Sequence, residues 1–340
     1  MYPQKLEEFP PPPGVMGSLR AGFEVVSSHV GLILLPAALD ILLWLGPQLS
    51  VNGLISPILR IMWDQARASA TSAADLERFT ETQAAFFEAV QHFNLLSLLG
   101  RLQLFPIGIS SLLAQKIPLE TPFGSQRVVE ITSSAVVVGL AFLLVMSGWV
   151  IGGLYFRWVS GIVLGDAQRE VEISSMRAVI QTLILSALWV VGLMVIAVPL
   201  TVILLLLLML NPVLASGAAF VILLLSFWLI VPLFFTPHGI FVRRQNALYS
   251  IFTSLRMARF TLPTSGMFVV SVLLLTTGLN YLWNVPPDDS WMKLVGIGGH
   301  AFITTALLAA SFVYYRDMNV WLQTVFERLQ QKQSMPTQQA

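Results

Sequence analysis

Four histidines, one carboxylate inside an apolar run and four arginines beside another are the residues of this chain whose types invite chemistry. His29, His92, His238 and His300 are scattered, and none has a carboxylate or a second histidine at metal-ligand spacing. The absence of cysteine excludes disulfides, thiolate metal sites and thiol catalysis together. No phosphate-binding P-loop and no Gly-x-Ser-x-Gly elbow occurs, and the glycines of "GIGGHA" at 296–301 are not preceded by a strand pattern, which marks them as helix packing. Paired acid and base groups are missing, so the expected class is not an enzyme, and no cofactor is expected.

Asp40 is the carboxylate set well inside an apolar run, where an ionisable group is a functional-site candidate unless solvent or a neighbouring donor satisfies it. It precedes Trp44 and Pro47, so it lies roughly 6–10 Å from the end of its helix at about 1.5 Å per residue. His300, Asn280, Lys293 and Arg101 are candidate partners, and Asp40, Asn280 and His300 form the candidate intramembrane polar site. Arg243, Arg244, Arg256 and Arg259 occupy "VPLFFTPHGIFVRRQNALYSIFTSLRMARF" with no acid beside them, and are candidate contacts for anionic lipid.

These residues must be positioned by membrane helices. A mean hydropathy of +0.76 with 11% charged residues, against about 25% in soluble domains, describes a polytopic membrane protein. Between Arg177 and Arg243 no Asp, Glu, Lys or Arg occurs, enough for two spans joined at Asn211-Pro212. The same reading elsewhere gives spans near 22–46, 131–156, 178–210, 213–236, 264–284 and 293–315. Lipid admits only helices or closed barrels, and these runs lack the alternation of barrel strands, so the fold class is all-α integral membrane with six transmembrane helices.

Residues 1–21 read as a tail and entry helix, with acids and the run "PPPP" where a signal peptide would have its apolar core, so no cleavable signal is expected. Residues 22–46 are span one, 47–130 a long helical outer loop, 131–317 the five-helix remainder and 318–340 a cytoplasmic tail. In the loop, Leu76, Phe79, Phe86, Val90 and Phe93 recur at helical steps, predicting an amphipathic helix whose aromatic stripe docks on the bundle or the outer interface. Residues 95–114, carrying Arg101, Gln103 and Pro106, are long enough to span but balanced in hydropathy. Interfacial, re-entrant and spanning readings stay open, and the segment is a candidate cap over a cavity.

Charge favours six spans with both termini inside, because the inner segments then hold most of the lysines and arginines while the short outer turns hold Lys293 beside Asp288 and Asp289. The words "SLRA" at 18–21, "SMRA" at 175–178 and "SLRMA" at 254–258 precede odd-numbered spans, and even-numbered spans end in "LYFRW", "LFFTPHGIFVRR" and "VYYRD". That order predicts three helix-plus-hairpin repeats. In the best-defined entry helix, 244–260, Leu248, Tyr249, Ile251, Phe252 and Leu255 share an arc with Arg244, Arg256 and Arg259, and Ala247, Ser250, Ser254 and Ala258 form a small-residue face suited to close packing.

The segment "PLFFTPHGIFVRRQNALYSIFTSLRMARF" and the ending "LLAASFVYYRDMNVW" resemble an uncharacterised bacterial multi-span membrane family that includes the membrane domain of some glycerophosphoryl diester phosphodiesterases. Spans three to six carry the resemblance, 47–130 has no counterpart, and His238 stands where an aromatic is expected. It implies a multi-span membrane domain with no catalytic residues to transfer. The expected function is a non-enzymatic scaffold or lipid-facing assembly element of the bacterial cell (inner) membrane, the alternative a transporter or permease for a small solute or lipid. Membrane lipids are the expected partners, with a membrane or cytoplasmic protein as a further candidate and no nucleic acid. The cysteine-free chain allows a direct test of sidedness. Single cysteines replacing Ser69 and Pro287 react with an impermeant maleimide on intact cells, whereas one replacing Ser250 does not; labelling of Ser250→Cys from outside excludes six spans with an inner N-terminus.

Overall fold

A computed structural model describes residues 11–68, 73–100, 106–114, 117–118, 120–165 and 173–334. The fold is all-α and membrane-like, 81% helical with almost no sheet. Its helices are α1 (Val15–Ser28), α2 (Leu34–Leu45), α3 (Asn52–Ala68), α4 (Ala73–Gln91), α5 (Ser134–Leu164), α6 (Ser175–Leu210), α7 (Pro212–Phe234), α8 (Thr236–Arg243), α9 (Ala247–Trp283) and α10 (Lys293–Ser334). Five are long and apolar enough to cross a membrane, α7 counting with α8, and a sixth span results if the bent pair Val15–Ser28 and Val30–Leu45 is one.

Span one is therefore not the straight helix expected over 22–46. Ser28 Oγ bonds back to Glu24 O at 2.8 Å and His29 Nδ1 lies 3.1 Å from Val25 O, so side chains take up the last carbonyls. His29 leaves helical space at φ −131° and ψ 60°, and a 3-10 turn at Val30–Ile33 starts α2, whose first turn accommodates Pro36. The α6–α7 turn forms where expected. Extended Asn211 accepts from the amides of Val213 (2.8 Å) and Leu214 (3.3 Å), and Pro212 opens α7. Of the three expected entry helices, α1 ends in a break and α9 is kinked at non-helical Thr261, two residues before Pro263, whereas α6 runs unbroken from Ser175. Helix α10 continues through the region expected as a tail, to Ser334.

The chain divides into two compact units. One comprises Met1–His29, Arg157–Leu274 and Thr305–Ala340. Its core is aromatic: Phe268 stacks on Tyr314 with ring centroids 4.3 Å apart, and Phe235, Phe241, Phe312 and Tyr315 are buried. Helix α1 packs on α10 at Gly22, where Ala306 and Ala310 leave no room for a Cβ. The small-residue face of α9 is buried as its spacing predicts, Ser250 Oγ donating to Thr236 O and Ser254 Oγ to Pro232 O, while Leu248, Tyr249 and Phe252 remain exposed. A cysteine at buried Ser250 would thus be silent from either side, and exposed Tyr249 is the informative labelling position.

The other unit comprises Val30–Phe156 and Leu275–Thr304. Strands β1 (Gln48–Ser50) and β4 (Val128–Glu130) pair in parallel, and β2 (Glu120–Thr121) and β3 (Gly124–Ser125) form a small hairpin. The aromatic stripe of α4 meets α3, with Trp63 centred 6.0 Å from Phe79 and 5.8 Å from Phe86. Gln126 Nε2 caps α2 by donating to Leu43 O (2.8 Å) and Trp44 O (2.7 Å). The described backbone of 95–100 and 106–114 is a 3-10 turn and non-helical chain, so among the described residues this stretch is not a spanning helix.

Candidate functional site

The non-helical segment 106–114 is built into the second unit by Gly108, its apolar side chains and two serines. Ile109, Leu112 and Leu113 are buried with Leu39, Leu43, Trp44 and Ile297 in one cluster. Two glycines one helical turn apart on α5 admit the backbone: a Cβ at Gly152 would meet Gly108 Cα at 2.8 Å, and one at Gly148 would meet Leu99 O at 2.8 Å. Backbone brought this close to helices cannot rely on water for its polar groups, and each unpaired group is costly.

Asp40 supplies the acceptor. Fully buried on α2, it takes hydrogen bonds from Ser111 Oγ (2.5 Å), Leu112 N (3.0 Å) and Leu113 N (3.2 Å). Ser111 Oγ in turn accepts from Ala114 N at 3.0 Å, which closes a turn around the carboxylate. Spacing alone had offered Asp40 four candidate partners, and among the described residues it hydrogen-bonds none of His300, Asn280 and Lys293. Lys293, itself 2% exposed, pairs with Asp288 at 2.7 Å. Arg101 lies outside the described residues.

His300 and Asn280, expected as partners of Asp40, pair with each other, Nδ1 lying 2.9 Å from Asn280 Oδ1, and the other ring nitrogen is 3.2 Å from Ser110 Oγ. The amide oxygen can only accept, so Nδ1 donates and the hydroxyl donates to Nε2, a complete set for neutral imidazole. Asp40 and His300 thus hold adjacent serines of one loop. Neither Ser110 nor Ser111 stood out in the sequence. The tandem "SS" after "PIGI" and the Gly-x-x-x-Gly pair at 148 and 152 were the legible signals. A Ser–His–Asn order also orients activated nucleophiles. Acyl transfer further needs amides aimed at the oxyanion, and the nearby Leu112 and Leu113 amides are given to Asp40. Among the described residues no three His, Cys, Asp or Glu side chains are close enough to hold a metal ion.

The four arginines of the other unit separate into two pairs. Arg243 donates to Asn319 Oδ1 at 3.1 Å, and Arg244 is the left-handed C-cap of α8 with φ 53°, its carbonyl accepting from Arg177 at 2.8 Å. Arg244 therefore belongs to the turn and not to the entry helix, which starts at Ala247 after Asn246 caps the Tyr249 amide at 3.0 Å. Arg256 lies over the Phe326 ring at 6.0 Å, and Arg259 is exposed beside a cleft. His238 fills an aromatic position literally, its ring packed 4.6 Å from Phe312 while Nε2 lies 2.7 Å from Ser311 Oγ. No protein-family model, curated protein or solved structure matches the chain. The fold defines its class as an all-α membrane protein.

Asp40→Ala leaves two amides and a hydroxyl without their acceptor, and is expected to cost about 2–3 kcal/mol, against about 1 kcal/mol for Ser111→Ala. Thermal unfolding of the purified protein in detergent measures both. Equal midpoints for wild type and Asp40→Ala would show that the carboxylate holds nothing.

Proposed function

We propose that this chain is a non-enzymatic multi-pass membrane protein, a lipid-facing scaffold or assembly element. The observation that supports this most is the α6–α7 hairpin, whose most apolar stretches have mean hydropathies of 3.1 and 2.7. None of the α6 stretch is buried, and Val195, Leu206, Phe220 and Leu225 are all more than half exposed. Apolar surface of this extent along two helices needs hydrocarbon around it. The polar groups of the other unit are occupied in holding its own loop, as structural ties are. In keeping with the charge asymmetry, the hairpin sits in a bacterial cell membrane with both termini cytoplasmic, as a member of the multi-span family its residues resemble.

Transport is the second reading, favoured by the half-buried Ser110 on a non-helical segment next to His300 and Asn280. Broken backbone with polar groups is how solute sites are built in helical bundles. One experiment separates the two. Nitroxides on Val195→Cys, Leu224→Cys and Ser110→Cys are compared, in proteoliposomes, for collision with oxygen and with a water-soluble nickel complex. The scaffold reading expects oxygen-dominated collision at 195 and 224 and a label at 110 closed to nickel. Nickel access at 195 and 224 would remove the lipid-facing reading, and nickel access at 110 alone would favour transport.

A further inference from the structure

We propose that the cleft between α7 and α9 is a binding site for one anionic phospholipid, with its phosphate on Arg259 and its acyl carbons against Trp228, Pro232, Leu255 and Leu262. The assignment rests on the lipid-facing reading and adds to it a defined place and headgroup charge. The cleft measures about 250 Å³ and is lined by these residues together with Ala258.

Its shape follows from the helices that form it. They are tied on one side by the Ser254 hydroxyl donating to Pro232 O. On the other they approach at Gly266, where an added Cβ would touch Phe227 at 3.5 Å. Between those contacts α9 kinks at Thr261, as Pro263 lacks the amide that would bond the Arg259 carbonyl and its ring crowds that carbonyl. A straight helix pinned at both places would close on its neighbour; the kinked one leaves a gap.

The lining has two chemistries. Five of its six residues present hydrocarbon, and the sixth is a guanidinium that makes no hydrogen bond or ion pair among the described residues, unlike Arg243. No acid occurs in the sequence between Glu172 and Asp288 to serve it locally. A guanidinium binds phosphate through paired N–H donors, and Trp228, 62% exposed, is the residue type that settles at headgroup level. Free phosphate would satisfy the cation and leave the apolar walls open. A phospholipid satisfies both.

The test uses the full chain extracted from vesicles of equimolar phosphatidylglycerol and phosphatidylcholine, washed in detergent, with retained lipid quantified by mass spectrometry. Wild type is expected to retain phosphatidylglycerol preferentially. Arg259→Gln lowers that retention about five-fold, the weight of one cation near an anionic surface. Leu255→Trp, which fills the cleft from an exposed position, lowers it with the charge intact, Arg259→Lys restores part of it, and Arg20→Gln, an exposed cation paired with Glu24 and outside the cleft lining, leaves it unchanged. No preference in wild type, an effect of Arg259→Gln without one of Leu255→Trp or the reverse, or an equal effect of Arg20→Gln would each overturn the site. No preference in wild type with nitroxides at 195 and 224 still in lipid overturns the site alone, whereas labels there in water overturn the lipid-facing reading as well.

Discussion

Backbone that is not helical, packed among helices, must find partners for its own amides, and in this protein a single carboxylate provides for two of them. Asp40 accepts from two consecutive amides and a hydroxyl of the 106–114 segment. Burying a carboxylate is unfavourable without such donors, and burying the amides is unfavourable without an acceptor, so each group's cost is offset only while the other stays in place. That mutual dependence fixes which loop atoms face α2. Ile109, Leu112 and Leu113 then have a defined side on which to pack, and the α5 glycines supply the space.

The other unit applies the same constraint in smaller steps. Thr236 O and Pro232 O lie where helix α7 gives way to α8, and serines of α9 donate to both. Each bond takes up a carbonyl near the break while the small side chain lets the helices come close. His238 is paired with Ser311 inside an aromatic cluster, which places a polar tie where a phenyl ring would give packing alone. Polar side chains at the helix breaks of either unit are thus mostly committed to nearby backbone or to one another, and this is why they support a structural reading more readily than a catalytic one.

Much of this architecture was legible, because hydropathy and small-residue spacing act locally. The Asn211-Pro212 turn carries its own capping chemistry, and the row Ala247, Ser250, Ser254, Ala258 lies at the spacing of one helix face. Asp40, Asn280 and His300 were visible as polar residues in apolar surroundings. Asp40's partners were not, since backbone amides carry no sequence signature and the serines sit in a segment whose hydropathy was balanced between lipid and water. The break at His29 was hidden for a different reason: Ser28 and His29 end α1 through bonds to its own carbonyls in a run whose apolarity argued for continuity, with Pro36 as the one local sign of a helix start. Arg244 misled because a helical wheel assumes the helix, and its left-handed backbone places it before α9 begins.

A membrane protein whose polar groups secure its own loop, and whose most apolar hairpin turns hydrocarbon outward, is organised to be stable in lipid. Its central claim is that Asp40 holds the 106–114 backbone, and amide hydrogen exchange at Leu112 and Leu113 reads that directly. Both amides should exchange slowly in wild type and fast in Asp40→Ala, while the α5 amides around Gly139 keep their protection, since protection follows the free energy of opening each bond. Fast exchange at Leu112 and Leu113 in the wild-type protein, or protection that Asp40→Ala leaves unchanged, would contradict it.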